Sequence, residues 1–584
     1  MSNARQTMSP QQMIALLKQG LALQQAGRAD EAAGVYAKIL AADSNQPDAN
    51  HLLGLVRLGQ EKPAEAVKHL RLAVRGAPRN AQYASNLAAA LNADDKPRDA
   101  VTVIDRALSI DAGFAGAHAN RGMALRALGA SREAAKSYRQ AITIDPSVPS
   151  FHFNLGNAER EAGDYPAAEA AYRAALRRQP THIGALTGLA RVLVLMQHWT
   201  EAVAALEDSP EQLHAAPEWQ LMMGRAQARL GDLDSAISHY RTAIAARPKC
   251  GEALHALALA RRHEPADPDI ARLKSVFSDV KVASAERTFA GFGLGKALSD
   301  AGEHQESIEV FESTNAMQHA SHTAPEQPLV VLHALANQFR VLPSEWQPSA
   351  NSASPIFLVG LPRSGKTTLE HMLSRCDGLT SAGELRVMGR LLADHLPFAG
   401  RPASLPSSEL LAHVGRDYLL RAAQSARSAG TTIDTMPSNF RLLPFIAFAL
   451  PKALIVHCVR DPIDHLIAVF QKYLTGAGNE YSSDLRALVT YYHAYRSMMD
   501  QWRHLLPGRI LEVDVASLYD VGRARDLFEQ LGLDPAFATS SEESEPQAGN
   551  WSRSEVRINA AAQREAWIAR HPDLLKNLAR NPSN

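Results

Sequence analysis

From residue 13 to about residue 260, a small side chain returns every 34 positions, at Gly20, Gly54, Ala88, Gly122, Gly156, Ala190, Gly224 and Ala258. A second series keeps the same register, with alanine at 32, 66, 100, 134, 168, 202 and 236. A third places an aromatic or branched apolar residue four positions later, at Tyr36, Leu70, Ile104, Tyr138, Tyr172, Leu206 and Tyr240. Each unit is predicted to be a pair of helices: the small residue lets the two approach, and the larger one fills the gap between them. Proline closes several units, at Pro78, Pro146, Pro180 and Pro248, because it cannot continue a helix. One such pair cannot bury its apolar face alone, so seven full units and a partial eighth must stack.

Period and landmarks resemble the tetratricopeptide repeat. That resemblance implies an α-solenoid with a concave groove, and a protein or peptide partner held there; a dimerising or spacing scaffold is the other reading. Asn120, Asn154 and Asn157 are candidates for binding a peptide backbone in the groove, against a solvated helix face as the alternative. After an irregular piece from His263 to Asp269, the stretch Ala290 to Glu312 reads as one further, degenerate repeat. Residues 10–320 are assigned to the solenoid. Residues 313–352 mix an expected helix with a Pro/Ser-rich stretch, LPSEWQPSANSAS; 321–352 are assigned to a linker and 353–584 to a second domain.

The second domain opens on PIFLVGLPRSGKTTLEHML, Pro355 to Leu373. Pro355 to Val359 predicts a buried parallel strand, Gly360 to Gly365 a loop, and Lys366 onward a helix whose N-terminus faces the loop. This is the composition of a phosphate cradle. Gly360 and Gly365 let backbone approach an anion, and Arg363, Lys366, Ser364, Thr367 and Thr368 add donors. Taken alone, the loop fits G-x-x-x-x-G-K-[ST], so an NTPase or kinase using Lys366 and Mg²⁺ is one reading.

The PRSG at Pro362–Gly365 also resembles the 5′-phosphosulfate loop of sulfotransferases, whose usual PRSGTT has threonine where Lys366 stands. Further segments follow in the family's order. SAGEL at 381–385 resembles the Gly-Glu segment of protein-tyrosine sulfotransferases and of bacterial sulfotransferases fused to tetratricopeptide repeats, with Glu384 as the match. TTIDTMPSNF at 431–440 resembles D-K-M-P-x-N-F, but Thr435 replaces the lysine. ALIVHCVRDPIDHLIAVF at 453–470 resembles the 3′-phosphate segment R-[DN]-P-x-D-x-x-x-S, with Arg460, Asp461, Pro462 and Asp464 matching and Ala468 in the serine's place. Residues 488–513 resemble the helix and strand that follow, although Val515 and Ala516 replace the usual Tyr-Glu. SRSEVRINAAA at 552–562 resembles Q-V-R-x-P through Arg557, with Glu555 and Asn559 departing.

The resemblance spans about residues 353–582 and implies a three-layer α/β domain with a parallel sheet. It also implies 3′-phosphoadenosine 5′-phosphosulfate (PAPS) as sulfuryl donor and no metal. The implied donor contacts are Gly360, Pro362, Arg363, Ser364, Gly365, Lys366, Thr367, Thr368, Arg460 and Arg557. Arg363 is expected to meet charge on the leaving phosphate and Glu384 to take the acceptor's proton. The implied acceptor is a hydroxyl, tyrosine among the candidates, on a protein or peptide that the solenoid recruits. Each departure carries a cost: Ala468 forgoes a hydrogen bond worth roughly 1–3 kcal/mol, and Thr435 removes a cation from the transition state. A sulfotransferase-fold scaffold without turnover is therefore a second reading. Of the neighbouring polar groups, His457 is expected as a satisfied strand residue, His465 on an exposed helix turn, and Asp434 in a structural or acceptor-positioning role.

Lys plus Arg and Asp plus Glu both number 61, so no global field points to nucleic acid or to an anionic membrane. Three cysteines, Cys250, Cys376 and Cys458, lie far apart, which argues against a disulfide framework or zinc site and for a reducing cytoplasm. The first residues contain no apolar core of signal-peptide length, and no run of ~18 or more apolar residues occurs. The sequence sets no oligomeric state.

Overall fold

The computed structural model describes residues 8–320, 327–395, 405–428, 430–474, 478–538, 553–575 and 578. It divides into two compact units, Met1–Leu189 and Ala190–Asn584, with the boundary inside helix Ile183–Leu195.

The first unit is a series of helix pairs: Pro10–Gln25 with Ala29–Ala42, Pro47–Gly59 with Pro63–Gly76, Ala81–Ala93 with Pro97–Ile110, Ala115–Ala127 with Ser131–Ile144, and Pro149–Ala162 with Tyr165–Arg178. The repeating small residue explains the pairing. A Cβ added to Gly122 or Gly156 would stand 2.8 or 2.6 Å from the ring of Tyr138 or Tyr172, and both tyrosines are fully buried. Where the small residue is Ala88, its partner shrinks to Ile104, which conserves the volume at the helix contact. Two groove candidates are used within the solenoid: the Asn120 amide donates to the Ser85 carbonyl at 3.1 Å, and Asn157 accepts from the Tyr172 hydroxyl at 2.8 Å.

The second unit begins with further helices, including Trp199–Glu207, Pro217–Leu230, Leu233–Ala246 and Gly251–Ala260, and a pair formed by Ser284–Asp300 and His304–His319. Residues expected as linker contain helix Gln327–Gln338. Leu332, Leu335, Phe339 and Trp346 are buried in one apolar core with Phe292, Phe311, Phe357, Phe445 and Trp502. The Trp346 indole donates to the Pro406 carbonyl at 2.9 Å.

Among the described residues the sheet has five parallel strands: β1 Ile356–Val359, β2 Leu379–Gly383, β3 Thr431–Asp434, β4 Leu454–Val459 and β5 Ile510–Asp514, in the order β2-β3-β1-β4-β5. β1 is central and covered on both faces, which is why it reads as an unbroken apolar run. Phe357 and Val359 enter one core, Ile356 and Leu358 the other. Helix Lys366–Leu373, which leaves β1, buries Leu369, Met372 and Leu373 in the second core. Helix Pro462–Phe470, which leaves β4, buries Ile463, Leu466 and Val469 in the first. The connections from these adjacent strands therefore depart to opposite faces. A crevice opens at their carboxyl ends, the place where open α/β sheets bind ligands. Among the described residues no helix is long and apolar enough to cross a membrane.

Candidate functional site

The loop after β1 and the motif after β4 meet in that crevice. Gly360 has φ +143°, Arg363 +67° and Gly365 +92°, so this turn is strained for any residue with a Cβ. The glycines are also needed for space: a Cβ at Gly360 would meet the Cys458 carbonyl at 2.7 Å, and one at Gly365 would meet Val515 at 2.7 Å. Val515, which departs from the family pattern, is thus the floor beneath the loop.

What holds the loop open is a set of side chains that take its carbonyls. Lys366 Nζ donates to the carbonyls of Gly360 at 3.0 Å and Leu361 at 2.8 Å, and lies 3.3 Å from Ser364 Oγ. His465 Nε2 donates to the Pro362 carbonyl at 2.9 Å. Arg460 Nη1 reaches the Arg363 carbonyl at 3.5 Å. Four consecutive carbonyls therefore point at cations or an imidazole. Among the described residues the N–H groups of Gly365, Lys366 and Thr367 have no acceptor. Loop amides and a helix N-terminus left in this state make an anion site.

Lys366 is buried with Ser364, and burial lowers its pKa against the pull of the Glu384 carboxylate. Its ammonium stabilises the loop from within. His465 was expected on an exposed turn and is instead 2% exposed. Its ring sits edge-on to Tyr492, and burial pushes its pKa down to about 3, so it is the neutral imidazole that donates. Its position in the first turn of helix Pro462–Phe470 faces the neighbouring loop, a tertiary contact that local pattern does not reveal.

The segment carrying Glu384 follows β2. Glu384 is exposed, and its backbone is fixed by neighbours: Ser381 Oγ accepts from the Gly383 N–H at 3.0 Å and donates to Glu370. Glu370, on the cradle helix, also accepts from the Gln197 amide at 2.8 Å. A Cβ on Gly383 would approach the Leu195 carbonyl at 3.2 Å, so repeat residues form the backing of this loop.

β3 ends at Asp434, fully buried and accepting from Tyr418 Oη at 2.9 Å, Asn439 Nδ2 at 3.0 Å and the Met436 N–H at 2.8 Å. Burial pushes its pKa up to about 7 in spite of those donors. Thr435, in the missing lysine's place, is buried, and its N–H donates to the Gly383 carbonyl at 3.0 Å. Asp434 thus orders the turn that braces the Glu384 loop. His457 on β4, fully buried, bonds to Tyr495 Oη and lies 3.0 Å from the exposed Glu512.

Arg557 lies in helix Arg553–Arg570, but its side chain is outside the described residues. In the same helix Arg564 pairs with Asp461 at 3.1 Å and Asp464 at 2.8 Å, which draws the helix over the Arg460 motif. Sequence reasoning missed Arg564; an arginine seven residues past Arg557 was the available signal. Among the described residues no group of three or more His, Cys, Asp or Glu is placed to hold a metal.

Residues 355–537 match the sulfotransferase family. Tetratricopeptide-repeat families match residues 4–47, 51–183 in overlapping segments, 221–269 and 159–230. An uncharacterized protein of Aquifex aeolicus (strain VF5) is 25% identical over 274 residues, covering 44% of this chain and 36% of that protein, so the chain spans about a third of its relative. A thermophilic tetratricopeptide repeat protein of Thermus thermophilus aligns at 23% identity with TM-score 0.28, over 31% of this chain and all of that one. A tetratricopeptide repeat protein from Parabacteroides merdae aligns at 16% identity with TM-score 0.35, over 43% of this chain and 99% of that one.

Proposed function

From a chain that carries a sulfotransferase-family domain together with tetratricopeptide repeats, we propose transfer of a sulfuryl group from PAPS to a hydroxyl acceptor on a protein or peptide that the repeats recruit. A tyrosine hydroxyl is the first acceptor to test. The observation that carries this reading is the loop whose four carbonyls are taken by Lys366, His465 and Arg460 while, among the described residues, the N–H groups of Gly365, Lys366 and Thr367 are left without an acceptor. The residues fit the donor: Gly360 and Gly365 allow the positive-φ turn to close down on Cys458 and Val515, and Pro362, Arg363, Ser364, Lys366, Thr367 and Thr368 shape and surround the 5′ end. Arg460 and Arg557 take the 3′-phosphate.

When bound, the donor supplies a sulfuryl group whose S–O bond to the 5′-phosphate breaks as the acceptor oxygen bonds to sulfur. Glu384 receives the hydroxyl proton. The electron pair of the broken bond stays on the phosphate oxygen, where Arg363 and the helix N-terminus stabilise it. Lys366 acts one layer back, holding the loop amides in place.

Calorimetric titration with adenosine 3′,5′-bisphosphate tests this, with ATP plus Mg²⁺ in parallel. The expected outcome is preferential binding of the bisphosphate, weakened about tenfold or more in Arg460→Ala, the scale of a lost charge-assisted bond. Preference for ATP would favour an NTPase. Bisphosphate binding with no transfer to any hydroxyl would favour a scaffold without turnover.

A further inference from the structure

One position of the repeat lies in the left-handed region of backbone space, with positive φ at Gly27, Glu61, Asp95, Gly129, Gly163, Gln197 and Gly231, each 34 residues after the last. Glycine holds it in four of these seven units, because glycine alone turns there without strain. Gln197 has φ +63° just past helix Ile183–Leu195. Its N–H reaches the Val194 carbonyl at 3.2 Å, and the His198 N–H reaches the Leu193 carbonyl at 2.8 Å, so the turn is fixed by the helix it ends. A side chain kept where glycine would be unstrained points to a use for that side chain. Here the use is a contact with the cradle helix: Gln197 Nε2 donates to Glu370 Oε1 at 2.8 Å. Four residues on, Glu201 pairs with Arg427, which caps the helix before β3, so this repeat turn is anchored at two points.

Glu370 passes that contact on. It is buried, and the oxygen that takes the Gln197 amide also accepts from Ser381 Oγ. Ser381 Oγ in turn accepts from the Gly383 N–H at 3.0 Å, while the Gly383 carbonyl takes the Thr435 N–H at 3.0 Å and the Leu385 N–H at 3.2 Å. Within this stretch the pairing of β2 with β3 slips: Ser381 stands opposite Ile433 but Gly383 opposite Asp434, so Ala382 is an extra residue. Such a bulge re-aims the chain beyond it, and the next residue is Glu384. We propose that Gln197 is a positioning residue of this site, a repeat side chain that fixes, through Glu370 and Ser381, the backbone from which Glu384 projects. Burial pushes the Glu370 carboxyl above its usual range, and the bonds from Ser381 and Gln197 oppose that push. Without the amide the carboxylate keeps one donor fewer in a dry place, where a charge either takes up a proton or moves. Either response disturbs the acceptor of the Ser381 hydroxyl and loosens the support of the Gly383 turn. Gln197 itself touches no substrate and moves no proton; the acceptor's proton passes to Glu384.

This inference rests on the proposed role of Glu384, and the test separates the two. In the full chain, Gln197→Gly eases the turn while removing the amide, and Gln197→Lys keeps a donor for Glu370. With adenosine 3′,5′-bisphosphate bound, hydrogen exchange at the Gly383 amide should be about tenfold faster in Gln197→Gly, with residues 360–368 within about twofold of wild type. Transfer from PAPS to a tyrosine peptide should show kcat lowered about tenfold and KM for PAPS within about twofold, the pattern of a misplaced base beside an intact donor site. Gln197→Lys should recover most of both losses. The melting midpoint of Gln197→Gly should not fall, because glycine relieves the strained φ. Unchanged exchange, unchanged kcat, or a midpoint and bisphosphate affinity that drop together with kcat would each overturn the role of Gln197 and leave the donor assignment standing. A wild type that binds the bisphosphate yet transfers to no hydroxyl would overturn the role of Glu384, and that of Gln197 with it. Absence of bisphosphate binding in the wild type would overturn the donor as well.

Discussion

Asp434 shows how one buried group can be read by pH. Its pKa is raised to about 7 by burial, so between about pH 4 and pH 7 the folded chain retains a proton that the unfolded chain has released. Stability from this group is then present at low pH and declines as pH rises towards 7, by at most about 1.4 kcal/mol per pH unit. Urea midpoints measured from pH 4 to 8 should show this slope in the wild type and a flatter profile in Asp434→Asn. Unchanged profiles would mean that the three donors keep Asp434 ionised throughout. His465 acts by geometry instead: its neutral ring holds the Pro362 carbonyl. His465→Phe keeps the volume and removes that donor, leaving the carbonyl unsatisfied at a cost of about 1–3 kcal/mol. Bisphosphate affinity in this variant should fall severalfold at every pH between 6 and 9, because the wild-type imidazole is uncharged across that range.

At the level of elements, the repeat unit is governed by a pair of complementary sizes. Gly156 faces Tyr172, whose ring lies 2.6 Å from where a Cβ would stand. Gly156→Val should therefore lower the thermal midpoint, with a cost of about 1–3 kcal/mol from overpacking. The double variant Gly156→Ala with Tyr172→Ile should recover much of it, because Ala88 with Ile104 already uses that combination. This is the kind of rule a sequence displays openly, since both partners recur 34 positions apart in register. The strand, glycine loop and helix from 356 to 373 were legible for a similar reason: an apolar run, two punctuating glycines and a helix start lie within twenty residues. His465 and Arg564 were not. Each owes its setting to a partner far along the chain, respectively Pro362 and Asp461 with Asp464, and no local periodicity records such distances. In the tract from 327 to 346 a helix could be read, but local pattern does not record that Leu332, Leu335, Phe339 and Trp346 are buried.

On the scale of the molecule, the sheet does not own its core. Phe292, Ile308, Phe311, Leu335, Phe339 and Trp346 are all buried in the cluster that covers one face of β1 and β4. A fragment comprising residues 353–584 would expose the apolar surface those side chains cover. It should melt roughly 10 °C or more below a fragment of residues 190–584, or aggregate, since a loss of several kcal/mol shifts a midpoint by that much. Matching midpoints by calorimetry would show the shared core to be dispensable. The Gln197 amide on Glu370 makes the same arrangement matter for heredity. Recombination that grafts a foreign repeat array onto this domain has a tolerable seam only upstream of residue 190. A splice further down would discard a brace of the Glu384 loop along with the old array, so a lineage can trade away its early repeats while the later ones descend with the site.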